Sequence, residues 1–350
     1  MCEIRLRNHI PISGPATREP YVGDETPLRV SLGFTPKWYH KRLGVDFTEK
    51  WHMDPLYRYN SLEQMKRYLN EFFPEVQYFK PVYKNGIEST CATISGVHGA
   101  MLMSLIYGLE VVYSKDGWPS ANPEKPLSRE QIEKLEPYEL LNNSVVVQLL
   151  EQMDIIENKW GAIHGYLNYQ GILNNALRIR GNAIFMDMID DPDFVHHLFN
   201  HITNTMLKLI KLVQERQRKS GFDINLLSVS NCVINMISPD LYEEFVLPYD
   251  KKLSGHFERF GVHTCNWNVT PYIDSLSQIG KVGYIDMGIS SDMKRVREVF
   301  KDARRALMYS PVALEQKSLD EIRADLLKVR EELSPCDIVM ADVENTTPDE

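Results

Sequence analysis

The stretch from Val282 to Ser310, VGYIDMGISSDMKRVREVFKDARRALMYS, contains a strand, a helix and a second strand in succession. Its two ends, 282–288 and 305–310, are short apolar runs of strand length. The charged segment between them, 291–302, is typical of a surface helix. A strand–helix–strand unit of this kind predicts two parallel strands joined by a crossover helix.

The same alternation extends in both directions from this unit. Further strands are predicted at 160–166, 225–230, 261–265 and 336–343, and further helices at 191–219, 239–260, 270–278 and 318–333. Residues 96–114 predict a helix that runs into a short strand. The sequence has no GxGxxG fingerprint, so a closed (β/α)8 barrel, a TIM barrel, is favoured over an open doubly wound sheet.

The amino-terminal part of the chain has a different character. Residues 1–92 are predicted to form an irregular arm or cap packed on the barrel, with one helix at 61–72, and residues 93–350 the barrel itself. Four aromatic residues of the arm either pack it on the barrel, which is favoured, or line a substrate pocket: Trp38, Tyr39, Trp51 and Tyr57.

Composition excludes several classes of protein. The chain has 39 basic and 48 acidic residues, a net charge of −9, which argues against nucleic-acid binding. We find no apolar run long enough to span a membrane and no signal peptide at the start, so a cytoplasmic location is expected. Five cysteines in 350 residues are too few for a disulfide scaffold.

In a barrel of this type the active site lies at the carboxyl ends of the strands. The residues that the predicted strands place there are His164, Tyr166, Asn231, His263, Cys265, Asp286, Tyr309, Asp342 and Glu344. We expect these side chains, which come from six strands, to converge at one mouth.

The segment FGVHTCNWN (260–268) contains the most specific signal among them. His263 and Cys265 are two apart, so on a strand both side chains would face the same side. Imidazole and thiolate together favour zinc over magnesium or calcium, and a catalytic zinc has three protein ligands and one open position. The alternative is that Cys265 is a small buried residue and His263 a hydrogen-bonded core residue.

Three segments resemble the uroporphyrinogen decarboxylase superfamily, whose fold is a distorted TIM barrel. They are ISPDLYEEFVLPYDKKLSGHFERFGVHTCNWNVTPYID (237–274), GNAIFMDMIDDPDFVHHLFNHIT (181–203) and ADVENTTPDE (341–350). The resemblance covers about residues 95–350. Relatives continue into a last helix, so either this sequence stops short of that helix or the final barrel helix is missing. The arginine-rich segment of true decarboxylases is missing from REPYVGDETPLR (18–29), which argues against porphyrinogen decarboxylation.

The H-x-C form is similar to the cobamide-dependent methyltransferase branch, in which a histidine, a cysteine and a later cysteine bind zinc. His263 and Cys265 match the first two ligands, but Ala341 occupies the place of the third. Cys336 begins the last predicted strand, about 16 Å along it from Ala341, and is rejected as a substitute. Asp342 and Glu344 are the alternatives for the third ligand, with Asp286 a further candidate.

The resemblance implies a methyltransferase that moves a methyl group between a small methylated substrate, or a thiol, and a separate corrinoid protein. A carboxylate as third ligand would slightly favour demethylation at oxygen. A metal-free lyase and a non-catalytic binding barrel are the rival readings, and a homodimer stays open. No catalytic residue is expected beyond the metal site. The expected substrate-binding residues are His164, Tyr166, Asn168, Asn231, Trp267, Asp286 and Tyr309.

Overall fold

A six-stranded parallel sheet forms the centre of the molecule. The computed structural model describes residues 21–23, 27–74 and 92–348. The sheet has the order β1-β8-β7-β6-β5-β4, and every neighbouring pair in it is parallel. Its strands are β1 (Leu28–Phe34), β4 (Leu226–Ser230), β5 (Arg259–His263), β6 (Val282–Met287), β7 (Arg304–Met308) and β8 (Cys336–Val343), and a separate antiparallel pair is formed by β2 (Val111–Val112) and β3 (Ser120–Ala121).

Helices connect and surround the strands. In the described ranges they are α1 (Pro36–Leu43), α2 (Glu49–Met53), α3 (Pro55–Phe72), α4 (Leu102–Ile106), α5 (Arg129–Glu133), α6 (Ser144–Trp160), α7 (Ile172–Arg180), α8 (Ala183–Asp190), α9 (Pro192–Lys219), α10 (Pro239–Leu241), α11 (Leu247–Ser254), α12 (Ile273–Ser277), α13 (Met293–Val299), α14 (Pro311–Gln316) and α15 (Leu319–Glu332). A π-helical segment, Tyr242–Val246, joins α10 to α11. Within the described residues, no helix combines the length and the apolar character needed to cross a bilayer.

Two further chain segments extend the parallel arrangement toward a closed barrel. Thr93 and His164 form a parallel bridge. The hydroxyl of Tyr166 accepts a hydrogen bond from the backbone N–H of Ser228 at 2.6 Å and donates one to its carbonyl at 3.2 Å. The backbone N–H of Gly171 donates to the carbonyl of Ser230 at 3.0 Å. The predicted α/β fold with a mostly parallel sheet is thus confirmed, and beyond β4 the hydrogen bonds of Tyr166 and Gly171 take the place of a regular ladder.

The amino-terminal segment is more regular than predicted. β1 pairs with β8 along its length, so this part of the predicted arm belongs to the central sheet. The predicted helix at 61–72 is the second half of α3, whose N-cap Asp54 accepts from the backbone N–H groups of Leu56 and Tyr57. Helices of eight and five residues give only weak hydrophobic periodicity, so α1 and α2 were not predicted from the sequence.

An aromatic cluster packs this segment on the barrel. Trp38, Tyr39 and Trp51 are fully buried, and Phe34 stacks on Trp38 with ring centroids 4.0 Å apart. Val343 at the end of β8 belongs to the same cluster. These aromatic side chains therefore contribute to packing, the favoured of the two predicted roles.

Candidate metal centre

Three side chains of types that can hold a metal ion meet where β4 and β5 end. These strands are parallel neighbours, with Ser230 opposite His263, so their carboxyl ends lie side by side. Cys232 follows β4 by two residues and opens a 3-10 turn, Cys232–Met236. His263 is the last residue of β5, and Cys265 lies just beyond it. The sequence-based reasoning missed Cys232, although a cysteine just past the end of a neighbouring parallel strand was the signal that could have revealed it.

The three donor atoms are close enough to hold one metal ion. The Sγ atoms of Cys232 and Cys265 are 2.7 Å apart, and Sγ of Cys265 is 3.1 Å from Nε2 of His263. All three lie within 4.8 Å of one another, and each residue is half-buried. On one tetrahedral zinc, two sulfur ligands would be about 3.8 Å apart and sulfur and nitrogen about 3.6 Å. Small shifts, about 1 Å for the two sulfurs, would therefore fit the set to zinc.

The two residues of the H-x-C segment meet by a turn and not by strand alternation. The predicted strand 261–265 ends at His263, because Thr264 bonds instead to Asp286 through its backbone N–H at 2.8 Å and its hydroxyl at 2.7 Å. Cys265 then adopts a left-handed backbone with φ of 61°, which returns its sulfur toward the imidazole. Backbone of this kind in a non-glycine residue is uncommon and is often found at functional sites.

Asp286 fixes the orientation of the imidazole. This fully buried residue accepts at Oδ2 from Nδ1 of His263 at 2.6 Å and from the hydroxyl of Tyr284 at 2.9 Å. Since Nδ1 is occupied, Nε2 is the atom directed at the sulfurs. A histidine that binds metal through one ring nitrogen usually donates its other N–H to a carboxylate or carbonyl in this way.

The protonation of the cluster follows from its charges. Hydrogen bonding from the thiol of Cys265, together with the charge of His263, lowers the pKa of Cys232 to about 5. The same hydrogen bond and burial raise the pKa of Cys265. Burial works to lower the pKa of His263, but the charges of Asp286 and the two sulfurs outweigh it and raise this pKa well above 6.5. Without metal at neutral pH, the cluster therefore holds one thiolate, one thiol and an imidazolium.

The family follows from a comparison of the whole chain. The sequence profile of the uroporphyrinogen decarboxylase (URO-D) family matches residues 99–340, more than half of the chain. The chain belongs to the uroporphyrinogen decarboxylase family. A methyltransferase from Methanosarcina mazei has a similar structure, with a TM-score of 0.63 and 16% sequence identity over 94% of this chain and 91% of that one, a likeness that shows the fold alone. No curated protein sequence matches the chain.

Asp342 and Glu344 lie at the same mouth of this URO-D barrel but outside the group of three donors. Asp342 has a left-handed backbone with φ of 57° and is accessible to solvent. Desolvation of its carboxyl group raises the pKa of Asp342, the charge of His263 opposes that rise, and the charge of Glu344 adds to it. Asp342 is thus close enough to His263 for the charge of the imidazole to affect its pKa. The third donor in the cluster is Sγ of Cys232. Cys336 lies buried at the start of β8, as predicted.

The residues predicted to bind substrate are distributed over several environments. The ring of His164 contacts that of Phe222 in a tilted arrangement with centroids 4.7 Å apart, and Phe222 precedes β4, so the imidazole lies toward the amino ends of the strands. Tyr166 is engaged with Ser228, as described above. The hydroxyl of Tyr309 donates to Asp325 of α15 at 2.6 Å, in the outer helical layer. Substrate binding by these three stays a prediction.

The remaining predicted residues lie nearer to the cluster. The amide of Asn168 accepts from Nε2 of Gln170 at 2.6 Å at the end of the 163–166 segment. Asn231 directly precedes Cys232, and its amide donates to Asp250 at 2.7 Å. Trp267 is 51% exposed, two residues after Cys265. Asp286, the last of this set, contacts His263 and so supports the metal cluster.

Proposed function

We propose that this URO-D family member is a zinc-dependent methyltransferase that moves a methyl group between a small substrate and a separate corrinoid protein. The observation that carries the proposal is the cluster of Cys232, His263 and Cys265 at the working end of the barrel. Three protein donors leave the fourth position of a tetrahedral site for a substrate atom, the pattern of catalytic and not structural zinc.

The donor set fits zinc in particular. Two thiolates and one imidazole are soft ligands, whereas magnesium and calcium take oxygen. A bound zinc would act as a Lewis acid that lowers the pKa of a substrate thiol or polarises the heteroatom that carries a methyl group. Asp286 presents Nε2 of His263 to the site, and the half-buried sulfurs of Cys232 and Cys265 remain reachable from the mouth.

The third donor changes the expected direction of transfer. A carboxylate ligand would favour an oxygen substrate, but Cys232 supplies a second sulfur in its place. A softer site suits a thiol as methyl acceptor. In that direction the substrate thiolate takes the methyl group from methyl-cobalt(III) of the corrinoid protein, forming a thioether and leaving cobalt(I). The thiol proton is released to solvent.

The rim of the cluster offers contact area for the corrinoid protein. Trp267 is 51% exposed and Met236 is 62% exposed, and each lies on a loop that carries a donor cysteine. Exposed tryptophan and methionine are enriched where proteins associate. We expect Trp267→Ala to slow methyl transfer to or from the corrinoid protein while zinc content stays unchanged.

Metal analysis tests the proposal most directly. Protein purified without chelator should contain about one zinc per chain, measured by inductively coupled plasma mass spectrometry. Cys232→Ala and Cys265→Ala should each lose most of it. Cys336→Ala is the matched control, because this buried cysteine lies outside the cluster and should keep full zinc.

An anaerobic assay then tests the reaction. The zinc protein is mixed with methylated or cobalt(I) corrinoid protein and with candidate thiols or methyl donors, and the cobalt spectrum is followed. Wild-type protein without zinc would overturn the proposed metal site and favour the metal-free lyase. Zinc-loaded protein that neither consumes nor forms methyl-cobalt with any partner would overturn the methyltransferase assignment and favour the binding barrel.

A further inference from the structure

A buried carboxyl group lies behind the metal cluster without an obvious function. Asp250 on α11 is fully buried and accepts two hydrogen bonds at Oδ2, from the amide of Asn231 at 2.7 Å and from the hydroxyl of Tyr242 at 2.9 Å. Among the described residues, its Oδ1 has no hydrogen-bond partner, and burial, Tyr242 and Asn231 are the influences on its charge, with no basic side chain among them. An unpaired carboxyl is expensive to bury, so a specific function is to be expected.

Asn231 connects this carboxyl group to both cysteine-bearing loops. Its backbone N–H donates to the carbonyl of His263 at 2.7 Å, and the next residue in the chain is Cys232. Its side chain is directed at Asp250 and fills the space beside Gly171, where a Cβ atom would lie 2.0 Å from Oδ1 of Asn231. Asn231 is therefore held at its backbone by β5 and at its side chain by Asp250, directly before Cys232.

The π-helical segment brings Tyr242 to Asp250, which also accepts from Asn231. Tyr242 and Asp250 are eight residues apart, which in an uninterrupted α-helix turns their side chains about 80° away from each other. A π-bulge is equivalent to one inserted residue, so the pair behaves as if seven apart, about 20° from alignment. Tyr242 and Asp250 consequently share the face that contacts Asn231.

Other side chains hold the turn from Cys232 onward, beginning with Asn235, whose amide donates to the carbonyl of Cys232 at 3.4 Å. The amide oxygen of Asn174 accepts from the backbone N–H of Val233 at 3.1 Å. The hydroxyl of Tyr272 donates to the carbonyl of Ile237 at 2.6 Å. Asn231 directly precedes Cys232, and Asp250 is the group that holds the side chain of Asn231.

We propose that Asp250 is the positioning residue for Cys232. Asp250 holds the side chain of Asn231, and through it the first residues after β4. In that position Sγ of Cys232 lies beside the donor atoms of His263 and Cys265. This inference rests on the proposed metal function. It predicts an effect on metal affinity and on the number of sulfur ligands, which a residue that merely stabilises the core would leave unchanged.

The test uses Asp250→Leu, which has nearly the same size but cannot accept a hydrogen bond. Zinc dissociation constants are measured by chelator competition, and thiolate-to-cobalt charge-transfer absorption is measured after cobalt(II) substitution. We expect a 10–100-fold higher dissociation constant, the range found when outer supports of metal ligands are removed. The charge-transfer intensity should fall by about half, as in Cys232→Ala.

Tyr107→Phe is the control variant. It removes a buried hydroxyl that hydrogen-bonds His201 at 2.6 Å, away from the cluster, and should lower stability while leaving zinc affinity and the cobalt spectrum as in wild type. If Asp250→Leu keeps the wild-type affinity and spectrum, the inference is wrong and Asp250 is only structural. If it does not fold, Asn231→Ala interrupts the same connection and decides by the same two readouts. A wild-type chain that binds neither zinc nor cobalt instead overturns the proposed function, on which the inference depends.

Discussion

Replacing Asp286 with asparagine should alter both the affinity of the cluster for zinc and the number of protons released on binding. The carboxylate accepts three hydrogen bonds, two at Oδ2 and one at Oδ1. An amide has one oxygen, so its NH2 group must face either His263 and Tyr284 or the backbone N–H of Thr264. In either orientation the NH2 group faces another hydrogen-bond donor. Each buried donor left without an acceptor lowers stability by about 1–3 kcal/mol.

The proton count is the sharper readout. In wild type, the lowered pKa of Cys232 and the raised pKa values of Cys265 and His263 predict one thiolate, one thiol and an imidazolium in the cluster at neutral pH. Zinc needs both thiolates and an unprotonated Nε2, so about two protons leave. The dissociation constant should accordingly fall about 100-fold per unit rise in pH near neutrality. Without the charge of Asp286 the pKa of His263 drops, and Asp286→Asn should release about one proton.

Isothermal titration calorimetry in buffers of different ionisation enthalpy measures this number directly. The same titrations should show a 10–100-fold weaker affinity for Asp286→Asn, equivalent to about 1.4–2.7 kcal/mol. Asp325→Asn is the control, since Asp325 also accepts from a tyrosine hydroxyl but lies on α15. An unchanged proton count and affinity in Asp286→Asn would refute the role given to Asp286.

Three further predictions concern stability. Trp38→Ala should lower the free energy of unfolding by about 3–5 kcal/mol in urea titrations, while Trp267→Ala, at a half-exposed position, should change it by about 0.5 kcal/mol or less; equal losses would contradict the packing described for the aromatic cluster. Burial raises the pKa of Asp250 from 3.8 to about 7, so between these pH values the folded state holds a proton that the unfolded state releases. The contribution of Asp250 to the free energy of unfolding is therefore fully present below pH 3.8. It should decline by up to about 4 kcal/mol as pH rises to 7. Asp250→Asn should lack this decline, and parallel pH profiles for the two proteins would be inconsistent with it. Gly171→Ala should destabilise by about 1–3 kcal/mol, because its Cβ would lie 2.8 Å from the carbonyl of Ser230, and wild-type stability would show that this close approach is not real.

The carboxyl-terminal half of the fold was the most predictable from sequence. The strand predicted at 336–343 coincides with β8, and the helix predicted at 191–219 is α9, which begins at Pro192 after its N-cap Asp191. These segments have a regular hydrophobic pattern over many residues and clear capping residues, so local sequence and final structure agree. The segment 160–166, predicted as a strand, makes only an isolated bridge at His164, because Tyr166 bonds to Ser228 in place of a regular ladder.

The site was predictable in part for a related reason. His263 and Cys265 stand close together in the sequence, so their pairing is a local property. Cys232 joins them only through the parallel register of β4 and β5, which no local pattern reports. The contact between Asp250 and Asn231 depends further on a π-bulge, a one-residue irregularity that apolar periodicity does not reveal.

The pairing of β1 with β8 has a consequence for how the protein is made. Arg29 and Asp337, which face each other across these strands, are 308 residues apart. At about 5–20 residues per second, the ribosome needs roughly 15–60 s to supply the second after the first. During that time the β1 edge of a nascent chain is unpaired and open to association with other chains. We expect chaperone binding during translation to end only when β8 has emerged.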